Sequence, residues 1–122
     1  MIIGHGIDIV NITRFDKTRI NRLAERICTP AELDEFKNTH ERRQPTYLAK
    51  VWAVKESVAK AFGTGIRGNT TWKNIELRST SLGQPQIYLK DPLFKFGTHC
   101  HTSISHDGDY LIASTILEYD HY

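Results

Sequence analysis

Two carboxylates, Asp8 and Glu56, are surrounded by small residues in the sequence pattern. Along the alternating segment 2–10, Asp8 shares a strand face with Gly4 and Gly6, which leave room for another element to approach. Glu56 falls on a helix face composed largely of alanines. If these faces pack together, the two carboxylates need a cation, and Mg²⁺ bound together with substrate phosphates suits them. A helical pair between Glu56 and Lys60, four residues apart, is the alternative.

Several cations flank the same helix and the glycine-rich turn 64–68 that follows it. Backbone amides in such a turn can hold an anion, and lysine supplies a point charge. The turn follows a helix, however, whereas phosphate sites at helix ends usually precede one. The candidate cations for phosphate are Lys55, Lys60, Arg67, Arg42 and Arg43.

A second basic group lies earlier in the chain, on a predicted helix that reaches Ile27. Between Asn11 and Arg26 there are five basic residues and two acidic ones. Such a ridge can bind an acidic protein or nucleic acid, and a solvated helix face is the alternative. Its arginines are Arg14, Arg19, Arg22 and Arg26.

Histidines near the C-terminal end form a third group. His99 and His101 share one strand face around Cys100, which is compatible with zinc, but the segment lacks the usual spacing of zinc ligands. His106 lies at a strand end, where it can contact a ligand or make a structural hydrogen bond.

The pattern of elements predicts an α+β fold in one domain, residues 1–122, with an antiparallel sheet packed on a long central helix. Thr13 and Asp16 resemble a capping box that opens the first helix, and the run 29–32 predicts a second helix to about Asn38. The central helix is expected over 46–62, with Pro45 ending the loop before it. Strands are expected at 72–78, 86–89, 101–106 and 110–118, and a short helix at 91–96.

Composition excludes several classes of protein. The 122 residues are 39% hydrophobic and 25% charged, with a net charge of +2, which is typical of soluble globular domains. No apolar run is long enough for a bilayer, and the N-terminal segment lacks the features of a signal peptide. Cys28 and Cys100 are too few for a disulfide scaffold, so we expect a cytoplasmic protein.

Four segments in order resemble the holo-[acyl-carrier-protein] synthases, the short form of the 4′-phosphopantetheinyl transferases. The opening 6–10 resembles the family's G-x-D motif, with Arg14 at the expected distance. The stretch 52–66 resembles its W/F-x-x-K-E-x-x-x-K-A-x-G-T-G signature. Residues 83–85 resemble its G-x-P hairpin, and 103–106 its S-[IL]-[ST]-H strand.

This resemblance implies an activity and a set of site residues. Family members transfer 4′-phosphopantetheine from coenzyme A to a serine of apo-acyl carrier protein and release adenosine 3′,5′-bisphosphate. By this resemblance Asp8 and Glu56 would bind Mg²⁺, and Lys60 would contact the transferred phosphate, making these three the catalytic residues. The residues implied to bind coenzyme A are Arg42, Arg43, Lys60, Gly63, Thr64, Gly65, Pro85, Ser105 and His106.

The resemblance also implies partners. The arginines Arg14, Arg19, Arg22 and Arg26 would dock an acidic helix of the carrier protein. Short members are homotrimers with sites between subunits, so the strand 103–106 would serve a neighbour's site. The expected role is in fatty acid biosynthesis, without nucleic acid or membrane partners.

Two departures from the family pattern stand out. Many members carry arginine where Val51 stands, so Arg42 or Arg43 would replace that phosphate contact. The tail 118–122 has no counterpart in the family pattern. The alternative functions are a Mg²⁺-dependent nuclease, for which Glu56 and Lys60 are spaced too far apart, and a basic nucleic-acid-binding module, for which the ridge lacks an aromatic platform.

Overall fold

The computed structural model describes residues 1–120; His121 and Tyr122 lie outside the described residues. Five strands and three α-helices follow one another in the order β-α-α-α-β-β-β-β. They are β1 (Ile2–Asn11), α1 (Ile20–Ile27), α2 (Pro30–Asn38), α3 (Gln44–Ala61), β2 (Ile75–Ser79), β3 (Pro85–Leu89), β4 (Thr98–Asp107) and β5 (Tyr110–Tyr119).

The main sheet is antiparallel, with strand order β1-β5-β4, and β2 and β3 form a separate antiparallel hairpin. In the register, Asp8 pairs with Ala113 of β5, which pairs in turn with Ile104 of β4. The long helix α3 packs across one face of this sheet, chiefly against β1 and β5. The predicted α+β class and the antiparallel sheet on a central helix are therefore confirmed.

Two glycines allow β1 to approach α3 at backbone distance. A Cβ built at Gly4 would lie 2.0 Å from the carbonyl oxygen of Ala61, and one at Gly6 would lie 1.9 Å from that of Ser57. Neither distance is compatible with any side chain. The predicted close approach on the face that bears Asp8 is thus confirmed, and the element that approaches is α3.

The core lies between α3, the inner sheet face and the two shorter helices. Ala24 and Ile27 of α1, Phe36 of α2 and Leu48 of α3 are almost completely buried within it. Helix α2 begins as predicted, because Thr29 and Glu32 form a capping box in which each side chain bonds the other's backbone N–H. Apolar burial, which drives folding, thus holds α1 and α2 against α3.

The predicted helix from Thr13 to Ile27 is wrong in its first half. The side chain of Asn11 accepts hydrogen bonds from the N–H and hydroxyl of Thr13 and supports only a short 3₁₀ turn, Ile12–Arg14. The Asp16 carboxylate accepts from the N–H of Thr18 instead of from a helix terminus. These local side-chain bonds compete with the helix, so α1 begins only at Ile20.

Other boundaries also shift. Pro45 lies in the first turn of α3 rather than before it, where its missing N–H costs no hydrogen bond. The strand expected from Trp72 begins at Ile75 because residues 72–74 form a 3₁₀ turn. No helix forms over 91–96; Leu93 and Phe94 both bond the carbonyl of Lys90, and these turns do not continue.

The sheet face opposite α3 is apolar and open. Its exposed isoleucines include Ile7, whose accessible fraction is 54% of its maximum. The full set is Ile3, Ile7, Ile9, Ile112 and Ile116. Among residues 1–120, no helix has both the length and the apolar character needed to cross a membrane.

Candidate active site

Asp8 and Lys60 meet where β1 passes beneath the C-terminal half of α3. The ammonium group of Lys60 donates to the carbonyl of Ile7 at 3.0 Å and to Oδ1 of Asp8 at 3.1 Å. Oδ2 of Asp8 is buried and has no hydrogen-bond partner among residues 1–120. A buried carboxylate oxygen without a partner is costly, so this atom is available for a ligand.

Glu56 lies one helical turn before Lys60 and faces the same carboxylate. Burial and then the negative charge of Asp8 raise the pKa of Glu56, while Lys60 opposes the shift. Burial also raises the pKa of Asp8, against the hydrogen bond and charge of Lys60. Within residues 1–120, Glu56 makes no ion pair with Lys60; that lysine pairs with Asp8. Asp8 and Glu56 are therefore close enough for their charges to interact, as the sequence pattern predicts.

The donors at this site fit a hard divalent cation. Burial raises the pKa of both carboxylates, and the charge of Asp8 adds to the shift at Glu56, so a positive charge between them would stabilise their ionised forms. In the part of the chain described, no group of three or more His, Cys, Asp or Glu side chains could enclose a metal. Asp8 and Glu56 supply two carboxylates, and Mg²⁺ in proteins is typically bound by one or two carboxylates together with waters and substrate oxygens.

Lys55 does not belong to the phosphate-facing cations, contrary to the prediction. Its side chain is fully buried, and its ammonium group forms an ion pair of 2.6 Å with Glu32. Burial lowers the pKa of Lys55, and the Glu32 carboxylate opposes the shift. An unpaired buried ammonium would be very unfavourable, so this lysine has a structural partner and no access to a ligand.

The glycine-rich turn after α3 caps the helix. The N–H of Gly63 donates to Lys60, and those of Thr64 and Gly65 donate to Ala59. Gly63 and Gly65 have φ values of 78° and 66°, which glycine adopts without strain. These three amides are therefore engaged by the helix, so the predicted amide cradle is not free at these positions. Exposed Arg67 follows in the same turn.

The other residues implied to bind coenzyme A are not gathered in one place by a single chain. Arg42 and Arg43 precede α3, roughly 20 Å along the helix axis from Glu56. Pro85 lines a groove of about 410 Å³ between β3 and β4. Ser105 pairs with Ile112, which pairs in turn with Ile9; Ser105 therefore lies on the open sheet face. His106 is exposed at the end of β4.

Val51, the position noted above as a departure from the family pattern, is fully buried in the core. A side chain that begins there points away from solvent, and the neighbouring Lys50 lies over the ring of Tyr47, 5.1 Å from its centroid. The position therefore contributes packing in this chain.

The four arginines predicted to dock a partner converge on one groove. Arg14, Arg19, Arg22 and Arg26 line a depression of about 300 Å³ whose apolar lining includes Phe15, Ile20 and Leu23. A smaller cavity of about 150 Å³ continues it towards Trp52. The charge of Arg14 also lowers the pKa of Asp8 against the larger effect of burial. Arg14, which lines the groove, is therefore close enough to Asp8 for its charge to act on that carboxylate.

Sequence reasoning missed the aromatic floor of this groove. The rings of Phe15 and Trp52 meet edge to face at 6.2 Å, and Trp52 also contacts Trp72 at 4.8 Å. Trp52 lies one turn before Glu56, so its position in the motif was the available signal. An apolar floor ringed by arginines suits an amphipathic, acidic partner.

Two histidines of β4 lie within hydrogen-bond distance of carboxylates. His99 lies 2.9 Å from Asp120, and His101 lies 3.0 Å from Glu118. No zinc-binding group forms within residues 1–120.

Comparison with known proteins gives this geometry a family. A family model described as the 4′-phosphopantetheinyl transferase superfamily matches residues 4–115. A holo-[acyl-carrier-protein] synthase of Streptococcus equi subsp. zooepidemicus is 43% identical over 120 residues, covering 97% of this chain and 98% of the relative.

Solved structures agree. The holo-[acyl-carrier-protein] synthase of Neisseria meningitidis is 37% identical with a TM-score of 0.85, covering 97% of this chain and 99% of that one. That of Bacillus anthracis, solved in complex with CoA (3′,5′-ADP), is 32% identical with a TM-score of 0.87, covering 98% and 99%. The nuclease and nucleic-acid alternatives receive no support from these matches. The chain belongs to the 4′-phosphopantetheinyl transferase superfamily.

Proposed function

We propose that this chain is an enzyme that transfers the 4′-phosphopantetheine arm of coenzyme A to the serine of an apo-acyl carrier protein, releasing adenosine 3′,5′-bisphosphate. The observation that carries the proposal is the juxtaposition of Asp8, Glu56 and Lys60 beside an arginine-lined groove. Phosphoryl transfer needs charge neutralisation and positioning more than covalent chemistry, and this site supplies both.

Asp8 and Glu56 are proposed to hold Mg²⁺. The partnerless Oδ2 of Asp8 and the raised pKa values of both carboxylates support this assignment. When bound, the ion would neutralise charge on the phosphate oxygens of coenzyme A. Lys60, half exposed and already held by Ile7 and Asp8, is positioned to donate to the transferred phosphate.

The arginine groove is proposed to seat the carrier protein. Its cations attract an acidic helix, and the apolar lining from Phe15 and Leu23 accepts apolar side chains of that helix. Because Arg14 is close enough to influence Asp8, a carrier docked here would bring its serine towards the carboxylate pair.

Completion of the coenzyme A site is proposed to need a homotrimer. Asp8 lies on the sheet face that packs on α3, whereas Ser105 lies on the opposite, open face. Residues on two faces of one sheet cannot meet within a single chain, so a shared site takes them from neighbouring subunits. The exposed isoleucines of the open face support such an assembly, since contiguous apolar patches mark interaction surfaces.

Remaining contacts to coenzyme A are proposed for Arg42, Arg43, Gly63, Thr64, Gly65, Pro85 and His106. Free thiols at Cys28 and Cys100 fit a reducing cytoplasm, where fatty acid biosynthesis would use the product.

The test is intact-protein mass spectrometry of apo-acyl carrier protein incubated with this chain, coenzyme A and Mg²⁺. A mass gain of one phosphopantetheine unit, lost on addition of EDTA, is the expected result. Asp8→Ala and Glu56→Ala should abolish the gain while circular dichroism remains that of the folded chain. No gain with several carrier proteins would refute the proposed transfer.

A further inference from the structure

Lys55 is attached by its ammonium group to three separate parts of the fold. It donates to the carbonyl of Ile27 at the end of α1, to Oε1 of Glu32 in the first turn of α2, and to the carbonyl of Trp72 before β2. The three distances are 2.6, 2.6 and 2.7 Å. A lysine ammonium has three protons, so all of its donors are satisfied.

Glu32 holds this lysine in a fixed place. Its Oε1 accepts from the N–H of Thr29 as well as from Lys55, and its Oε2 accepts from the N–H of Leu77 in β2. Both side chains of the pair are completely buried. The carboxylate therefore cannot follow Lys55 if α3 rotates, because the backbone N–H groups of Thr29 and Leu77, both outside α3, hold it.

Ser57 anchors the other side of α3. Its hydroxyl lies 2.8 Å from the carbonyl of Val54 and 2.7 Å from the hydroxyl of Thr115 in β5, and Thr115 lies 2.8 Å from the hydroxyl of Thr102 in β4. Each hydroxyl has one proton to donate, and these three protons suffice for the network: Thr102 donates to Thr115, Thr115 to Ser57, and Ser57 to the carbonyl. This hydrogen-bond network connects α3 to the sheet.

Glu56 stands between these two attachments. Successive residues of an α-helix are about 100° apart around the axis, so Lys55 and Ser57 point to nearly opposite sides with Glu56 between them. We propose that Lys55 and Ser57 are positioning residues that fix the rotation of α3, and through it the placement of Glu56 against Asp8. The inference rests on the proposed metal site at these two carboxylates.

Apolar side chains would not provide this constraint. Replacing a buried ion pair with hydrophobic residues is often neutral or stabilising, so stability alone does not explain Lys55 and Glu32. Hydrogen bonds have directions, whereas apolar contacts allow a helix to slide and turn while remaining packed. The proposed role of the polar groups is geometric precision at Glu56.

The test measures metal binding separately from stability. Binding of Mn²⁺ to the chain with coenzyme A, without carrier protein, is followed by electron paramagnetic resonance, and Mg²⁺ is used as competitor. Lys55→Met should weaken binding of both ions by about 10-fold or more, the scale of losses when supports of metal ligands are removed. Ser57→Ala, which loses one hydroxyl, should weaken binding in the same direction.

The matched control is Leu48→Ala on the same helix, about two turns before Lys55. Leu48 is fully buried, so its truncation should lower the Tm by several degrees. It makes no polar attachment, so metal affinity should stay within about 2-fold. If Leu48→Ala weakens metal binding as much as Lys55→Met does, general destabilisation of the fold is responsible, and the inference is overturned.

A double variant covers the case in which Lys55→Met does not fold. Lys55→Met/Glu32→Gln leaves no buried charge unpaired and should fold, yet its metal affinity should remain low because the attachment is absent. Wild-type affinity in this variant, or in both Lys55→Met and Ser57→Ala, would overturn the positioning role alone. Failure of the wild-type chain to bind either ion would overturn the metal site and this inference together.

Discussion

Replacing Gly6 with alanine should force β1 away from α3. A Cβ at position 6 would lie 1.9 Å from the carbonyl oxygen of Ser57, 2.6 Å from the nitrogen of Ala61 and 2.9 Å from the Cβ of Lys60. Two of these atoms are helix backbone, so no side-chain rotation relieves the contact. The strand and the helix must separate by about 1 Å before the shortest contact becomes tolerable.

The energetic cost of Gly6→Ala is set by the rigid backbone of α3, which the new Cβ would contact. Overpacking in a core costs about 1–3 kcal/mol, and a contact with backbone places Gly6→Ala near 3 kcal/mol. At about 4 °C for each kcal/mol, Tm falls by about 12 °C. The same movement lengthens the 3.1 Å bond between Lys60 and Asp8. A displacement of 1 Å at reacting groups lowers turnover by about 100-fold.

Thermal denaturation and the mass-spectrometric transfer assay, run well below the midpoint temperature, separate the two effects. Leu93→Ala is the matched control. Leu93 is buried and lies far along the chain from the carboxylates, so its truncation should lower the free energy of unfolding by about 2–5 kcal/mol. It should lower Tm and leave kcat near that of the wild type. A Gly6→Ala chain with unchanged Tm would refute the packing argument. One with lower Tm and full kcat would refute the link between strand spacing and the carboxylates.

Three further outcomes test other parts of the site. Burial raises the pKa of the Asp8 carboxyl above its ordinary value of 3.8, so the folded chain holds the carboxyl proton more tightly than the unfolded chain does. The free energy of unfolding therefore falls as pH rises from the pKa of Asp8 in the unfolded chain to its pKa in the folded chain. Asp8→Asn should therefore raise Tm at neutral pH without Mg²⁺ while transfer is lost; a lower Tm in calorimetry would contradict the burial argument. Arg22→Glu should raise KM for the carrier about 10-fold and leave KM for coenzyme A unchanged in steady-state kinetics; equal changes would remove the docking assignment. Ile7→Glu should convert the proposed trimer to monomers in sedimentation experiments and abolish transfer, and an unchanged trimer would exclude the open sheet face as the interface.

The sequence predicted helices correctly where a side-chain cap or an apolar periodicity matched the backbone structure that forms. The Thr29 and Glu32 capping box set the start of α2, and the apolar periodicity of 46–62 located α3 within two residues at its start. The start of α1 was missed because Asn11 and Asp16, both good helix caps, bond nearby amides in turns instead. A sequence pattern does not distinguish these two uses of the same side chain.

The candidate site was predicted as far as strand and helix faces determine it. Asp8 and Glu56 came together because a glycine-lined strand face met the face of α3 that carries Ser57, Lys60 and Ala61. The burial of Lys55 was not foreseen, since its partner Glu32 lies 23 residues earlier and the pairing depends on tertiary packing. Sites that depend on long-range pairing carry no local signal.

Gly4 and Gly6 restrict how this gene can vary. Every amino-acid replacement reached by a single-nucleotide change in a glycine codon introduces a Cβ, and at either position that atom would collide with a carbonyl oxygen of α3. Compensation would require the helix to be repositioned, which one further point mutation does not accomplish. Gene variants at these two codons should therefore be depleted in a saturation-mutagenesis selection for growth, even when the encoded residue is as small as alanine or serine.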